Sequence, residues 1–499
     1  MPPGATADIE LLTKETMEIF KKAQTTGLYA STGIQGVDLS GLVSLVPVNV
    51  PARNNTSAFP RVIAGEGSQT ATWRSLLNVN SSQTDAAVGI DYAGSLTILD
   101  EQDCFATYKV LAKANRVTLD AVAFARNYAD ALAVAELQTL NQLFIAQDLY
   151  IINGQNWALG TPAGPLTLTP AATGGSIASG TVVYVSVAAK SGANYFVNNG
   201  NSPALTGHTT VGTTSSTNTL TASIPAVKGA VAYDWYVGTS AAQYYYTTTT
   251  VAQATFTSVY TAAQAPPTTL PLFTTLANPP STAPTADTSY NAANWYNGII
   301  ASTLGDYGSL GPVTPGTGTA TGAIFIDNGG NAPNLSGGGI DILDTINDKI
   351  WASVQLSPTA YMMNSLQGDE ISKAILASSS ATTFLPPTDA DARTNLAGGG
   401  YIGRYINRAA GGVPVAIEIH PRMAPGTIFA RCDRVPFPGS NIGSVFEVRA
   451  QYDTMRFDYS ANMTQNSLGG GPRYDFEIRS NEVLVNRAPV AQAVACNIA

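Results

Sequence analysis

Charge, cysteine and histidine are all scarce in this chain of 499 residues, and each shortage removes a class of function. Charged residues make up only 12% and the net charge is −9, which argues against a surface devoted to nucleic-acid phosphates, where a basic domain is expected. The three cysteines, Cys104, Cys432 and Cys496, are scattered without CxxC spacing, so neither a disulfide framework nor a zinc site is indicated. His208 and His420 are the only histidines, and they fall in different expected domains without HExxH or HxxxH spacing. No GxSxG elbow occurs, and the glycine-rich stretches 337–341 and 397–403 lack the lysine of a phosphate cradle. The acidic groups Asp369-Glu370 and Asp100-Glu101-Asp103 have no paired partner at a useful spacing. The expectation is a non-enzyme with no catalytic residue, no metal and no cofactor. The first fifty residues lack a signal-peptide core, and no uncharged apolar run approaches the roughly 18 residues of a membrane helix, so a soluble protein without a membrane partner is expected.

What remains is apolar and uncharged-polar: 44% hydrophobic residues, 46 glycines, and a surface that must consist largely of Thr, Ser, Asn and Ala. Such a surface suits burial against copies of the same chain. The length predicts two to four domains. The most telling stretch is Thr118 to Gly154. Thr118 reads as an N-cap and Asp120 as a first-turn charge, while Leu119, Val122, Ala125, Ala129, Leu132, Leu140 and Leu143 form a one-sided stripe. A helix to Gln147 would be about 45 Å long. Leu149 to Ile152 then reads as a buried strand, with Asn153-Gly154 as its turn.

Upstream, residues 8–24 read as a short amphipathic helix, and 52–98 as a long two-stranded excursion with little core of its own, which usually needs a partner to lie on. Between 162 and 275 the only charged residues are Lys190, Lys228 and Asp234, and β-type runs recur at 181–189, 219–225, 230–238, 243–250 and 254–260. This segment predicts a β-sandwich. The run ASIPAVKGAVAYDWYVGTS is similar to strands of a fibronectin type III or immunoglobulin-like module, with Tyr233 and Trp235 or Tyr236 as the inward aromatic. In the tyrosine run, alternation places Tyr244 and Tyr246 on one face, a candidate ligand platform, and Tyr245 in or near the core. Beyond a Pro- and Thr-rich connector, a short helix is expected within Trp295–Leu304, a second clear helix over Ile340–Val354, a strand at Ala360–Met363, a helix at Gln367–Leu376 and a strand at Val415–His420. The C-terminal third therefore reads as α+β.

Taken in order, the chain outside 162–275 resembles a major capsid protein of a tailed bacteriophage, the fold named after phage Hong Kong 97. The resemblance rests on an arm, an extended hairpin, a long helix with its Asn-Gly turn, a second helix and a closing RYDFEIRSNEVLVNRAPVAQAV segment. It implies an α+β capsid fold interrupted by an inserted all-β sandwich. The divisions are an N-terminal arm (1–51), an E-loop (52–98), the spine helix and start of the peripheral domain (99–161) and the insertion (162–275). A linker and peripheral domain (276–357), an axial domain (358–432) and a peripheral return with the closing strand (433–499) complete them. The resemblance further implies a virion shell of hexamers and pentamers assembled in the host bacterial cytoplasm, around double-stranded DNA held by non-specific proximity. It implies a portal and a separate scaffolding protein as partners, and an insertion facing outward, either to bind host-surface glycans or to cover the shell, with a decoration protein as a further partner. Phe59, Ile63, Trp73, Leu76 and Leu77 are the expected subunit contacts. Some members crosslink an E-loop lysine to a neighbour's asparagine; residues 52–98 contain no lysine, so no such crosslink is expected. Competing readings are a secreted adhesion protein with a fibronectin-like module, an enzyme with an accessory sandwich, and a tail-tube or portal protein.

Overall fold

The computed structural model describes residues 59–63, 69–78, 100–118, 122, 131–157, 159, 162, 165–197, 205–211, 217–239, 243–259, 295–305, 324–336, 339–376, 402–435, 443–458 and 473–499. The expected arm (1–51), its amphipathic helix at 8–24 and the excursion between 79 and 99 lie outside them. The elements before the insertion are β1 (Arg61–Ile63), β2 (Thr70–Asn78), β3 (Asp100–Thr107), β4 (Lys109–Thr118) and helix α1 (Ala131–Asn153). Next come β5 (Thr167–Ala171), β6 (Val182–Ser191), α2 (Gly192–Val197), β7 (Leu205–Thr210), β8 (Thr219–Ser223), β9 (Ala230–Gly238), β10 (Tyr244–Thr249) and β11 (Gln253–Phe256). The second half holds α3 (Ile299–Leu304), β12 (Ile324–Asp327), β13 (Leu335–Ser336), β14 (Gly339–Ile340), α4 (Asp341–Val354), β15 (Ala360–Met363) and α5 (Ser365–Leu376). It ends with β16 (Arg404–Asn407), β17 (Val413–Ile419), β18 (Ile428–Arg431), β19 (Phe446–Asp458), β20 (Arg473–Asn486) and β21 (Ala493–Cys496).

Three bodies of structure follow from the pairing. The first is a sheet in the order β1-β19-β20-β4, with β1 parallel to β19 and the long β19 and β20 antiparallel. One face of β20 carries Phe476, Ile478, Ser480 and Glu482, all buried. Helix α1 lies on that side: Gln147 Nε2 donates to Ser480 Oγ at 2.8 Å, and Asn115 Nδ2 donates to Thr139 Oγ1 at 2.9 Å. The second is a six-stranded mixed sheet, β12-β21-β18-β15-β17-β16, whose apolar residues share one core with the first sheet. The third comprises a four-stranded sheet, β10-β9-β6-β7, and a three-stranded sheet, β11-β8-β5. Val185, Val187 and Trp235 from one and Leu220, Ala222 and Phe256 from the other meet in a single apolar cluster.

The long helix is described from Ala131, with Val122 also helical upstream, and its C-terminal end differs from the expected one. Thr118 is the last residue of β4, where ten residues pair in register with β20 from Lys109↔Glu482 to Thr118↔Arg473; the expected cap and first turns at 119–121 and 123–130 lie outside the described residues. At the other end the helix runs on through Leu149–Ile152, which are not a strand, and stops at Asn153. Ile151 and Ile152 are wholly buried and Leu149 and Tyr150 half-buried, so the four-residue run is apolar throughout, shows no one-sided period, and is indistinguishable from a strand by pattern. The described helix of 23 residues is about 35 Å long. Elsewhere the expected elements match closely. Helix α4 buries Leu343, Ile346, Ile350 and Val354 as one stripe, and β15 spans the four expected residues. Strands β5 and β7 and helix α2 carried no signal strong enough to be foreseen.

Candidate functional site

The features that could serve assembly are the β2–β3 hairpin, the strand β1 beside it, and the partly exposed side of the β4-β20-β19 sheet. The hairpin runs antiparallel from Thr70↔Thr107 to Asn78↔Asp100, so its pairing continues past the boundary expected at residue 98. Alternation divides it into two faces. Ala71, Trp73, Ser75 and Cys104 are buried. Thr72, Arg74, Asp103 and Phe105 face outward, with Arg74 paired to Asp103 at 2.9 Å. The buried face is pinned to the chain's own C-terminal strand: Trp73 Nε1 donates to the Asn486 carbonyl at 3.1 Å, Ser75 Oγ to the same oxygen at 2.6 Å, and the Leu76 amide to the Arg487 carbonyl at 2.8 Å.

That geometry corrects most of the expected contact residues. Phe59, Trp73 and Leu76 belong to the chain's own core, with exposures of 4%, 8% and 6%, and present little surface to a neighbour. Phe59 packs on Phe446 at 5.2 Å between ring centres. Sequence pattern alone missed this because the strand that covers them lies some 400 residues away, as the separation of 413 positions between Trp73 and its acceptor shows. Ile63 is 61% exposed and keeps its candidacy. The side chain of Leu77 lies outside the described residues.

Beneath β1 is a charged cluster that no motif announces. Arg61 Nη2 lies 2.7 Å from Glu482 Oε2 and 3.1 Å from Asp453 Oδ1. Glu482 is wholly buried on β20; it also accepts from the Tyr296 hydroxyl at 3.1 Å and from Gln147 Nε2 at 3.3 Å. Burial raises the Glu482 carboxyl above its ordinary range, and Arg61 and the Tyr296 hydroxyl pull it partly back. This carboxylate therefore joins β1, α1, β20 and the segment before α3. A second joint holds the C-terminal end of α1, beginning at the residue after Gln147: His420 Nε2 is 2.9 Å from Asp148 Oδ2, and Asn153 Nδ2 donates to the Arg422 carbonyl at 2.7 Å. His420 Nδ1 accepts from the Arg422 amide, so its place is a buried strand-end joint. Burial raises the Asp148 carboxyl, with the His420 contact opposing it. Gly154 follows the helix where a Cβ would stand 2.4 Å from the Tyr296 carbonyl and 2.5 Å from that of Tyr150.

Among the described residues, the opposite side of the β4-β20-β19 sheet is partly exposed. In register, Met455↔Arg479↔Ala112 and Phe457↔Glu477↔Ala114 lie across one face, and Val110 pairs with Asn481 two positions along. Val110, Met455 and Phe457 are 52%, 48% and 37% exposed. The 162–275 segment, by contrast, is tied down. Asp327 accepts from the Ala226 amide and from Asn497 Nδ2, and Asn497 Oδ1 accepts from the Ala252 amide at 2.7 Å. The tyrosine run departs from simple alternation at an irregularity between Tyr245 and Thr247. Tyr245 is buried against Tyr236 as expected, but Tyr246 leans edge-on against Phe256 and shares a hydrogen bond with Thr257, so it is no free platform. Tyr244 is half-buried. Among the described residues no group of three or more His, Cys, Asp or Glu could hold a metal, and no helix is long and apolar enough to cross a membrane. All three cysteines are buried and none is in a disulfide, and burial pushes the Cys432 thiol up to about 12.

No protein-family model matches the chain, and no curated protein matches its sequence. Solved structures of similar shape include the capsid asymmetric unit of cyanophage A-1(L), at 9% identity over 95% of this chain and 99% of that one, with a TM-score of 0.40. The capsid of an empty GTA particle is similar at 7% identity over 96% and 98%, with a TM-score of 0.38. An encapsulin complex from Synechococcus elongatus is similar at 8% over 95% and 95%, with a TM-score of 0.33. At these scores the likeness carries no weight of its own, and the case rests on the chain's own elements.

Proposed function

We propose that this chain is the structural subunit of a phage capsid shell with the Hong Kong 97 type of fold, and that 162–275 is an inserted immunoglobulin-like sandwich displayed on the shell's outer surface. The observation that carries the reading is the hairpin. Its described part is fastened to its own body through Trp73, Ser75 and Leu76, presents a second face outward, and leads into residues 79–99 between its paired ends Asn78 and Asp100. A two-stranded excursion of that length has little core of its own, and burial against another subunit is the way such an element gains stability. The partly exposed Val110, Met455 and Phe457 face and the exposed Ile63 add apolar area of the kind that self-association covers. Packaged double-stranded DNA, a portal, a separate scaffolding protein, and a decoration protein or host-surface glycan on the sandwich belong to the same proposal.

The test is a deletion confined to 80–98 with a short turn joining Asn78 to Asp100. A wider cut over 55–92 would excise Phe59, Arg61, Trp73 and Leu76 from the core and confuse misfolding with failed assembly. Electron microscopy of the intact chain should show closed polyhedral shells, and the trimmed chain should stay folded by circular dichroism yet dispersed. Normal shells from the trimmed chain, or tubes or rings from the intact one, would overturn the assignment.

A further inference from the structure

Of the three charged residues between 162 and 275, two meet inside the fold. Lys190 Nζ on β6 and Asp234 Oδ2 on β9 are 2.9 Å apart, and each side chain is 1% exposed. In register Ala188 faces Asp234 and Lys190 faces Ala232, so the pair is diagonal on one face of adjacent strands. Thr248 Oγ1 donates to the other carboxylate oxygen, Asp234 Oδ1, at 2.5 Å. The Tyr245 hydroxyl, 2.7 Å from Thr248 Oγ1, then donates to it, since the single threonine proton is already committed.

We propose that Lys190 and Asp234 condense to an intramolecular isopeptide bond between β6 and β9. Two charges withdrawn this far from water pay a desolvation cost that their attraction often fails to repay, and condensation removes both. The step needs no outside reagent. Proton transfer across the contact leaves a neutral amine beside a neutral acid. The Nζ lone pair adds to Cγ, and charge developing on Oδ1 meets the Thr248 hydroxyl already aimed at it. The bond from Cγ to Oδ2 then breaks and Oδ2 leaves as water with two of the three ammonium protons, while the third stays on the amide nitrogen. An ammonium and a carboxylate thus become one amide and one water. The burial that holds the groups together also supplies their proximity and keeps bulk water from reversing the reaction. The bond would staple the centre of the four-stranded sheet, and it stands whether or not the shell assignment does.

Mass spectrometry of the full chain, expressed fresh and denatured, decides it. The expected mass is lower than the sequence by one water, with fragmentation giving a branched peptide that joins Lys190 to Asp234. Lys190→Met and Asp234→Ala chains should show no deficit. A wild-type mass equal to the sequence overturns the proposal, and so does a deficit that maps to another residue or persists in Lys190→Met. If the variants fail to fold, the branched peptide in the wild-type chain is still a sufficient reading.

Discussion

Truncating Arg61 to alanine should unfasten β1 and loosen the sheet edge it completes. Its guanidinium is 22% exposed, but the Glu482 carboxylate it meets has no exposed surface at all. Removing one partner of a buried pair costs about 3–5 kcal/mol, mostly because the other charge is left uncompensated. Access of water through the partly open arginine site places the cost near the lower end, about 3 kcal/mol. The contact with Asp453 adds little, because that side chain is 48% exposed. The sensitive observable is native-state hydrogen exchange in β19, where the Val448 amide donates to the Pro60 carbonyl at 3.0 Å. A loss of about 3 kcal/mol speeds exchange there by roughly two orders of magnitude. The effect has a sign in pH. Burial raises the Glu482 carboxyl in the folded chain, so between its ordinary range and that raised value the folded state binds more protons than the unfolded, and stability falls as pH rises. Without Arg61 nothing charged pulls it back, so the window widens and the variant's deficit should be larger at about pH 8 than at about pH 5.5. Glu482→Gln in the Arg61→Ala background should recover much of the loss. A deficit under about 1 kcal/mol, flat in pH and untouched by the second change, would refute the reasoning.

Four further outcomes follow from the same packing. Trp73→Ala should cost the unassembled chain about 3–5 kcal/mol, read as accelerated exchange in β20, because the indole is core; a normal monomer that merely fails to assemble would return Trp73 to the contact role. Gly154→Ala should sharply reduce soluble folded chain, since two backbone carbonyls occupy the space of the new methyl; an unchanged melting temperature would show that the turn can yield. Asp327→Ala should leave the Ala226 amide and Asn497 without their acceptor and make the 162–275 segment a site of limited proteolysis, where wild-type resistance would contradict its role as anchor. Denaturing electrophoresis of assembled particles should show a single monomer band, because no lysine occurs in 52–98; a ladder would sink that expectation.

Elements with a local signature could be read directly from the sequence. The stripe of α4 and the runs that become β8, β9 and β10 needed nothing beyond period and turn residues. Errors arose where distant pairing decided the outcome. The run Leu149–Ile152 reads as a strand because it is apolar throughout, yet it is the last turn of α1, with Ile151 and Ile152 wholly buried. The hairpin's alternation was visible, but its cover was not, so Trp73 and Leu76 were assigned to a neighbour when the chain's own residues around Asn486 already held them. The Arg61 and Glu482 joint left no trace in spacing at all, since its partners stand 421 positions apart.

The location of the few charges explains how a chain so poor in them can register its parts. Arg61 with Glu482, His420 with Asp148, Arg431 with Glu418, and Glu447 with Arg487 each tie separate elements together through contacts with at least one buried or largely buried partner. At Glu447, burial alone would raise the carboxyl, but the two arginines bring it below its ordinary range, so that joint strengthens as pH rises through the acid range. Charges spent on internal registry are unavailable to the exterior. The faces left over, such as that of Val110, Met455 and Phe457, therefore carry apolar groups beside ion pairs already satisfied within the chain, as Arg479 is by Glu477 at 2.7 Å. A surface of that kind gives up little hydration when another copy covers it, which is what the proposed shell would require of its many weak and repeated contacts.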